Sequence, residues 1–102
     1  MVSYHLSEAA EADWREIALY TLSNFGEIEL QRYTEGLLKC LDNLVERVGR
    51  FRSIKIAPHK VLAKPCQQHV IFALERTDER LLILAILHER MDLIRQLKHR
   101  LI

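Results

Sequence analysis

The sequence predicts an α+β domain: an antiparallel helical hairpin packed on a mostly antiparallel sheet. Three observations predict it. Two amphipathic stripes of helical period fill residues 8–48, with a glycine between them. Beyond Gly49 the period changes, and aliphatic segments of strand length follow between 61 and 87. A short alternating segment precedes the first stripe. Helices and strands that segregate along the chain in this way form layered α+β domains. A length of 102 residues supports one such domain, spanning 1–102, and not comfortably two.

The elements follow in order. Val2, Tyr4 and Leu6 alternate with Ser3 and His5, the pattern of a half-buried strand. Ser7 stands at an N-cap position, with Glu8 and Glu11 in the turn behind it. Ala10, Trp14, Ile17, Ala18, Thr21 and Phe25 make one stripe, so a helix is expected over 8–25. Trp14 and Phe25 are expected in the core, and Tyr20 at the edge of the stripe. Gly26 can close the helix in the left-handed C′ conformation. Leu30, Tyr33, Leu37, Leu41, Leu44, Val45 and Val48 make the second stripe, closed by Gly49 in the same way. So short a connection implies an antiparallel pair. Gly36, inside the second helix, costs about 1 kcal/mol relative to Ala and points to a close helix crossing.

Residues 50–60 read as basic and irregular, punctuated by Pro58. Val61–Lys64 reads as a strand ended by Pro65, and His69–Arg76 as a strong strand. Thr77-Asp78-Glu79-Arg80 is a polar turn, and Leu81–Leu87 an almost continuous apolar strand of the kind found at a sheet centre. These segments form a three-strand meander. Leu93, Ile94, Leu97 and Leu101, among Arg95, Lys98, His99 and Arg100, give a short C-terminal amphipathic helix or a frayed tail.

Composition narrows the function. With 49% hydrophobic and 28% charged residues the chain is ordinary globular protein. It has no apolar run of roughly 20 residues and no basic leader followed by an apolar stretch, so a cytoplasmic location without membrane contact is expected. Cys40 and Cys66 make no disulfide framework and are expected reduced. Cys66 and His69, with His59 and His88, are the candidate metal ligands, but one loose pair is a poor zinc pattern. No metal or other cofactor is expected.

Charge is uneven along the chain. Residues 1–48 carry nine acidic and four basic side chains, a net of −5; residues 49–102 carry eleven basic and five acidic, a net of +6. Arg50, Arg52, Lys55, Lys60 and Lys64 fall in a stretch with no acid before Glu75. Such a run is either a solvated face or a surface for an acidic partner. Only Phe51 is interleaved with it, which supports base stacking poorly, so an acidic protein surface is preferred over direct nucleic-acid binding. Tyr20 is a further candidate contact, since aromatic residues anchor partner grooves. Arg90 and Asp92 either pair with each other or meet the partner.

Three segments together resemble a known family. Tyr4-His5-Leu6-Ser7-Glu8-Ala9-Ala10-Glu11-Ala12-Asp13-Trp14-Arg15-Glu16-Ile17-Ala18-Leu19-Tyr20-Thr21, closed by Phe25-Gly26, is similar to the opening of ParE-type toxins of the RelE/ParE superfamily. His69-Val70-Ile71-Phe72 is the second match, and Ile86-Leu87-His88-Glu89-Arg90-Met91-Asp92 resembles the family's ending. The matches run in order and cover most of the chain. The resemblance implies the toxin of a type II toxin–antitoxin pair: a growth inhibitor acting on DNA gyrase and replication, associated with plasmid stabilisation. It implies a ParD-like antitoxin whose flexible C-terminal part folds on the toxin, and a hetero-oligomer of the two.

RelE-type relatives cleave ribosome-bound mRNA on the same fold. That chemistry needs proton donors and acceptors and charge stabilisation at phosphorus. Relatives use clustered Lys and Arg, often with a C-terminal Tyr or a His. Here the tyrosines are Tyr4, Tyr20 and Tyr33, none beyond the second helix. An endoribonuclease would therefore rest on His88 and Arg90, and no catalytic residue is expected otherwise. A non-toxic member that only binds its antitoxin is the third reading.

Overall fold

A computed structural model describes residues 4–76 and 80–101. Its order is β1 (Tyr4–Leu6), α1 (Glu8–Glu46), β2 (Arg52–Ile56), β3 (His59–Cys66), β4 (His69–Leu74), β5 (Leu81–His88) and α2 (Leu93–Arg100). The sheet runs β1-β5-β4-β3-β2. β2 to β5 form an antiparallel meander, and β1 lies parallel to β5 with Tyr4 opposite Leu81. The domain is α+β, as expected. Val2 and the turn residues 77–79 lie outside the described residues.

Ser7 caps α1: its side chain accepts from the Ala10 amide at 3.0 Å. α1 is not one straight rod. A straight helix of 39 residues would be about 58 Å long, whereas the longest dimension of the domain is 41 Å. The break is Gly26, with φ 89° and ψ 178°. That is not the left-handed helical conformation expected there but the extended positive-φ region, essentially closed to other residues. The chain turns back, and Trp14 on the first arm stacks on Tyr33 of the second, ring centroids 6.2 Å apart. A Cβ at residue 26 would meet nothing within 4 Å, so only the backbone demands glycine. Gly26→Ala should lower stability by about 1–3 kcal/mol, measured by urea denaturation. A loss under about 0.5 kcal/mol would mean that the hairpin does not need this conformation.

The second arm ends differently from expectation. Arg47, not Gly49, takes the left-handed position (φ 59°, ψ 38°), with Val48 N donating to Asn43 O at 3.0 Å and Arg47 N to Leu44 O at 3.2 Å. This six-to-one plus five-to-two pattern closes the helix. The Arg47 side chain offsets its backbone strain by donating to Leu44 O, Val45 O and Glu75. Glu75 also meets Lys60 at 3.4 Å. The hydrogen bond from Arg47 holds the Glu75 carboxyl below its ordinary pKa, against desolvation, with Lys60 adding to it.

The sheet is covered on both faces. Leu62, Ile71, Ala73, Ile83 and Ile86 pack on Ala10, Leu37, Leu41 and Leu44 of α1. Val61, Ala63, Phe72, Leu84 and Leu87 face the other way and meet Leu97 of α2. β5 contributes to both layers, which explains its nearly unbroken apolar sequence. An irregularity opposite Phe72/Ala73 lets consecutive Leu84 and Ala85 join the same layer before alternation resumes.

Four local expectations need correction. Residues 52–56 form β2 rather than an irregular segment; as an edge strand it buries only Ile54 and Ile56 in part, and its exposed basic residues mask the alternation. β3 continues through Pro65 to Cys66. Gly36 admits the Gln67 side chain rather than the other helix: a Cβ there would lie 2.8 Å from Gln67 Nε2, which donates to Tyr33 O. Cys40 and Cys66, expected reduced, are joined as a disulfide that ties the second arm of α1 to the end of β3, Cα atoms 6.2 Å apart. Neighbours in space need not be paired in any sequence framework, so residue counting missed it.

Candidate partner-binding surface

Two grooves flank the turn between β5 and α2. The larger, about 950 Å³, lies between the two arms of α1 and the adjoining ends of β4 and β5. Its polar floor begins with cross-strand pairing: His69 at the start of β4 sits opposite His88 at the end of β5. Their rings meet edge to face, centroids 5.3 Å apart. The Tyr33 hydroxyl is hydrogen-bonded to His69 Nδ1, and Trp14 backs Tyr33 from the first arm. His88 Nδ1 accepts from the Arg90 amide at 3.1 Å.

Burial raises the Tyr33 pKa to about 12, so the phenol keeps its proton near neutrality. Burial, with His88 beside it, lowers the His69 pKa from 6.5, opposed by Asp13 and Glu89. The unfolded chain therefore takes up this proton first as pH falls. The resulting stabilisation is present above about pH 6.5 and is lost as pH falls through the lower folded value. Urea midpoints should drop between pH 7.5 and pH 5.5, and His69→Asn should flatten that part of the profile. An unchanged slope in the variant would assign the effect to another group.

Asp13 organises the opposite wall. Its carboxylate takes both Arg100 nitrogens, at 2.9 and 3.0 Å, and accepts from the Ile86 amide at 2.9 Å. Arg100 also donates to Leu84 O. One bidentate pair thus joins α1, the outer edge of β5 beyond the end of β1, and α2. At the other end the groove is apolar. Tyr20 and Phe25 line it, rings edge to face at 6.3 Å. Phe25 is 64% exposed and is not the core residue expected from its stripe, because the stripe runs past the last sheet residue it could cover. Trp14 is partly buried against the core.

The second groove, about 640 Å³, lies on the far face between β2–β4 and the start of α2. Ile54, Val70 and Phe72 form its base, and Arg50 and Arg52 line it. Met91 borders both grooves.

Of the expected contact residues, Tyr20, Arg50, Arg52, Lys55, Lys60 and Arg90 are exposed. They are not one patch: Tyr20 belongs to the larger groove, Arg50 and Arg52 to the smaller. Lys64 departs from the expected basic surface. It is 5% exposed and its ammonium donates to Arg50 O at 2.9 Å, so it fastens the segment before β2 to β3. Among the described residues Asp92 makes no ion pair with Arg90; it caps α2 by accepting from Arg95 N at 3.3 Å. The metal candidates do not converge, since Cys66 is bonded to Cys40 and His59 lies at the other end of β3. Sequence reading missed the Asp13–Arg100 pair and the Tyr33–His69–His88 cluster. The first joins residues 87 apart with no local signal; for the second, only helical phase and strand register put the residues together.

Comparison with known proteins places the chain in a family. The family described as ParE toxin of type II toxin-antitoxin system, parDE, matches residues 4–93. The chain is 38% identical over 102 residues to "Toxin ParE" of Escherichia coli, an alignment that covers 99% of this chain and 98% of that relative. Among the described residues no helix is long and apolar enough to cross a membrane. Over nearly its whole length, then, the chain belongs to the ParE family, the toxins of type II toxin–antitoxin systems, and membership implies a protein antitoxin as its partner.

Proposed function

We propose that this chain arrests growth by binding DNA gyrase without catalysis of its own, and that a ParD-like antitoxin neutralises it in a hetero-oligomer in the cytoplasm. The observation that carries the reading is the near full-length match to Toxin ParE. The structure supports it in kind: both grooves are open and mix apolar with charged lining, the mix found at protein contacts. The smaller sits on an apolar base, and the larger runs from a polar histidine floor to an apolar end. Exposed Arg50 and Arg52 border the smaller groove and give it a basic rim for an acidic antitoxin. Exposed Lys55 and Lys60 add positive charge to the paired β2–β3 edge. Tyr20 lines the larger groove, with Arg90 exposed beside His88.

Expression of the chain alone from a tight promoter tests the target. An early stop in DNA synthesis, followed by loss of supercoiling activity when purified chain is added to gyrase, is the expected result. An early stop in protein synthesis would replace it with mRNA cleavage, for which His88→Ala and Arg90→Ala are the first variants. No growth arrest at all would leave an antitoxin-binding member without toxicity.

Antitoxin binding should weaken as salt rises, because exposed charge pairs are screened beyond about 8–10 Å at physiological ionic strength. Arg50→Glu with Arg52→Glu should slow association more than it speeds dissociation. Equal affinity at low and high salt would remove the basic face from the interface.

A further inference from the structure

The Tyr33–His69–His88 cluster is not explained by the fold alone. Each ring spends Nδ1 on a neighbour: His69 on the Tyr33 hydroxyl, His88 on the Arg90 amide. An amide can only donate, so His88 Nδ1 is bare and its proton sits on Nε2. Tyr33 keeps its proton, and His69 is neutral near pH 7, its pKa lowered by burial. With Tyr33 as donor, the His69 proton is also on Nε2. Two imidazoles carrying an Nε2–H therefore line one groove, in edge-to-face contact. Among the described residues neither has an acceptor within the chain.

We propose that this pair of Nε2–H donors is the anchoring subsite for a carboxylate of the antitoxin, carried next to an aromatic or aliphatic side chain that lies on Tyr20 and Phe25. The inference rests on the reading of the chain as an antitoxin-bound toxin and deepens it.

Three features select this occupant. Two N–H donors on rings 5.3 Å apart suit the two oxygens of one carboxylate, and the groove adds the Arg32 guanidinium. The apolar end is exposed and aromatic, the usual seat of an anchor side chain. The same groove carries Glu16, Glu29 and Asp13. Arg32 stands 3.7 Å from Glu29, and Asp13 is taken by Arg100. Glu16 still faces the groove, and Glu89 acts on His69 from the β5–α2 turn. These acids repel a polyanionic nucleic acid but tolerate a single carboxylate opposite the imidazoles. Met91, shared with the smaller groove, makes the subsite continuous with the basic face proposed above.

The two amide replacements of histidine separate binding from structure. Asn places a polar atom where Nδ1 was; Gln places an amide donor where Nε2–H was. His69→Asn keeps a partner for Tyr33 but loses the outward donor, and His69→Gln does the reverse. The antitoxin co-encoded with the chain is the probe, full length, measured by calorimetry against folded variants of the toxin. The expected result is about a tenfold loss for His69→Asn and for His88→Asn, with His69→Gln and His88→Gln much closer to wild type. One Asp→Asn or Glu→Gln replacement in the antitoxin should reproduce that loss and add nothing on top of His69→Asn. Nitrogen-15 shifts of the two imidazoles should move on binding of the wild-type antitoxin and not of that amide variant.

Greater loss in the Gln variants than in the Asn variants would mean a purely structural cluster and overturn the proposal. So would the absence of any antitoxin carboxylate coupled to His69 or His88. Displacement of the antitoxin from these rings by a single-stranded oligonucleotide would give the subsite to nucleic acid instead. Binding of wild-type antitoxin without this coupling refutes the subsite alone. No binding by the wild-type chain refutes the antitoxin reading with it.

Discussion

Asp13→Ala should lower stability by about 3 kcal/mol, the lower end of the range for removing one partner of a buried ion pair. The lower end applies because the Arg100 and Asp13 side chains are 21% and 11% exposed, so water relieves part of the loss. The substitution leaves Ile86 N without its acceptor and Arg100 with only Leu84 O. Arg100→Ala should cost less, since Asp13 would still accept from Ile86 N. Asp13→Asn should fall between, keeping an acceptor for the amide without the charge. A drop of roughly 10–20 °C in the thermal midpoint is expected for Asp13→Ala. A loss below 0.5 kcal/mol, or a larger loss for Arg100→Ala, would show that Asp13 does not tie the three elements together.

Phe72→Ala should be at least as damaging, at about 3–5 kcal/mol. Phe72 is 1% exposed, the largest of the fully buried side chains, and packs in the layer with Val61, Ala63, Leu87 and Leu97. It also forms the base of the smaller groove. Antitoxin affinity should therefore fall along with the urea midpoint. Phe25→Ala is the matched control. Its ring is exposed, so stability should change by less than about 0.5 kcal/mol, while binding at the larger groove weakens. Equal destabilisation by the two variants would place Phe25 in the core after all.

The contrast between these phenylalanines shows how far periodicity reaches. Both lie on apolar patterns of the right period. Phe72 sits in a central strand covered on both faces, whereas Phe25 sits at the tip of a helical arm beyond the sheet. A stripe reports which face a residue shares and says nothing of where the opposing layer ends. The same limit applies to Lys64, read as one more basic residue of a run. Its strand position turns it inward, to the Arg50 carbonyl.

What the sequence determined by itself is local and periodic. The Ser7 cap, the break at Gly26, the strands around Val70 and Ile83 and the family-like opening and ending are each written in a few adjacent residues, because capping, φ preference and alternation act over one or two turns. What only the tertiary structure decided is every relation across the chain. β2 became a strand by pairing with β3, since an exposed edge needs no apolar pattern of its own. Cys40 met Cys66, Asp13 met Arg100, and Tyr33, His69 and His88 came together through helix phase and strand register. Those pairings depend on how layers stack, and stacking energy is shared among many residues, so no short stretch of sequence records it.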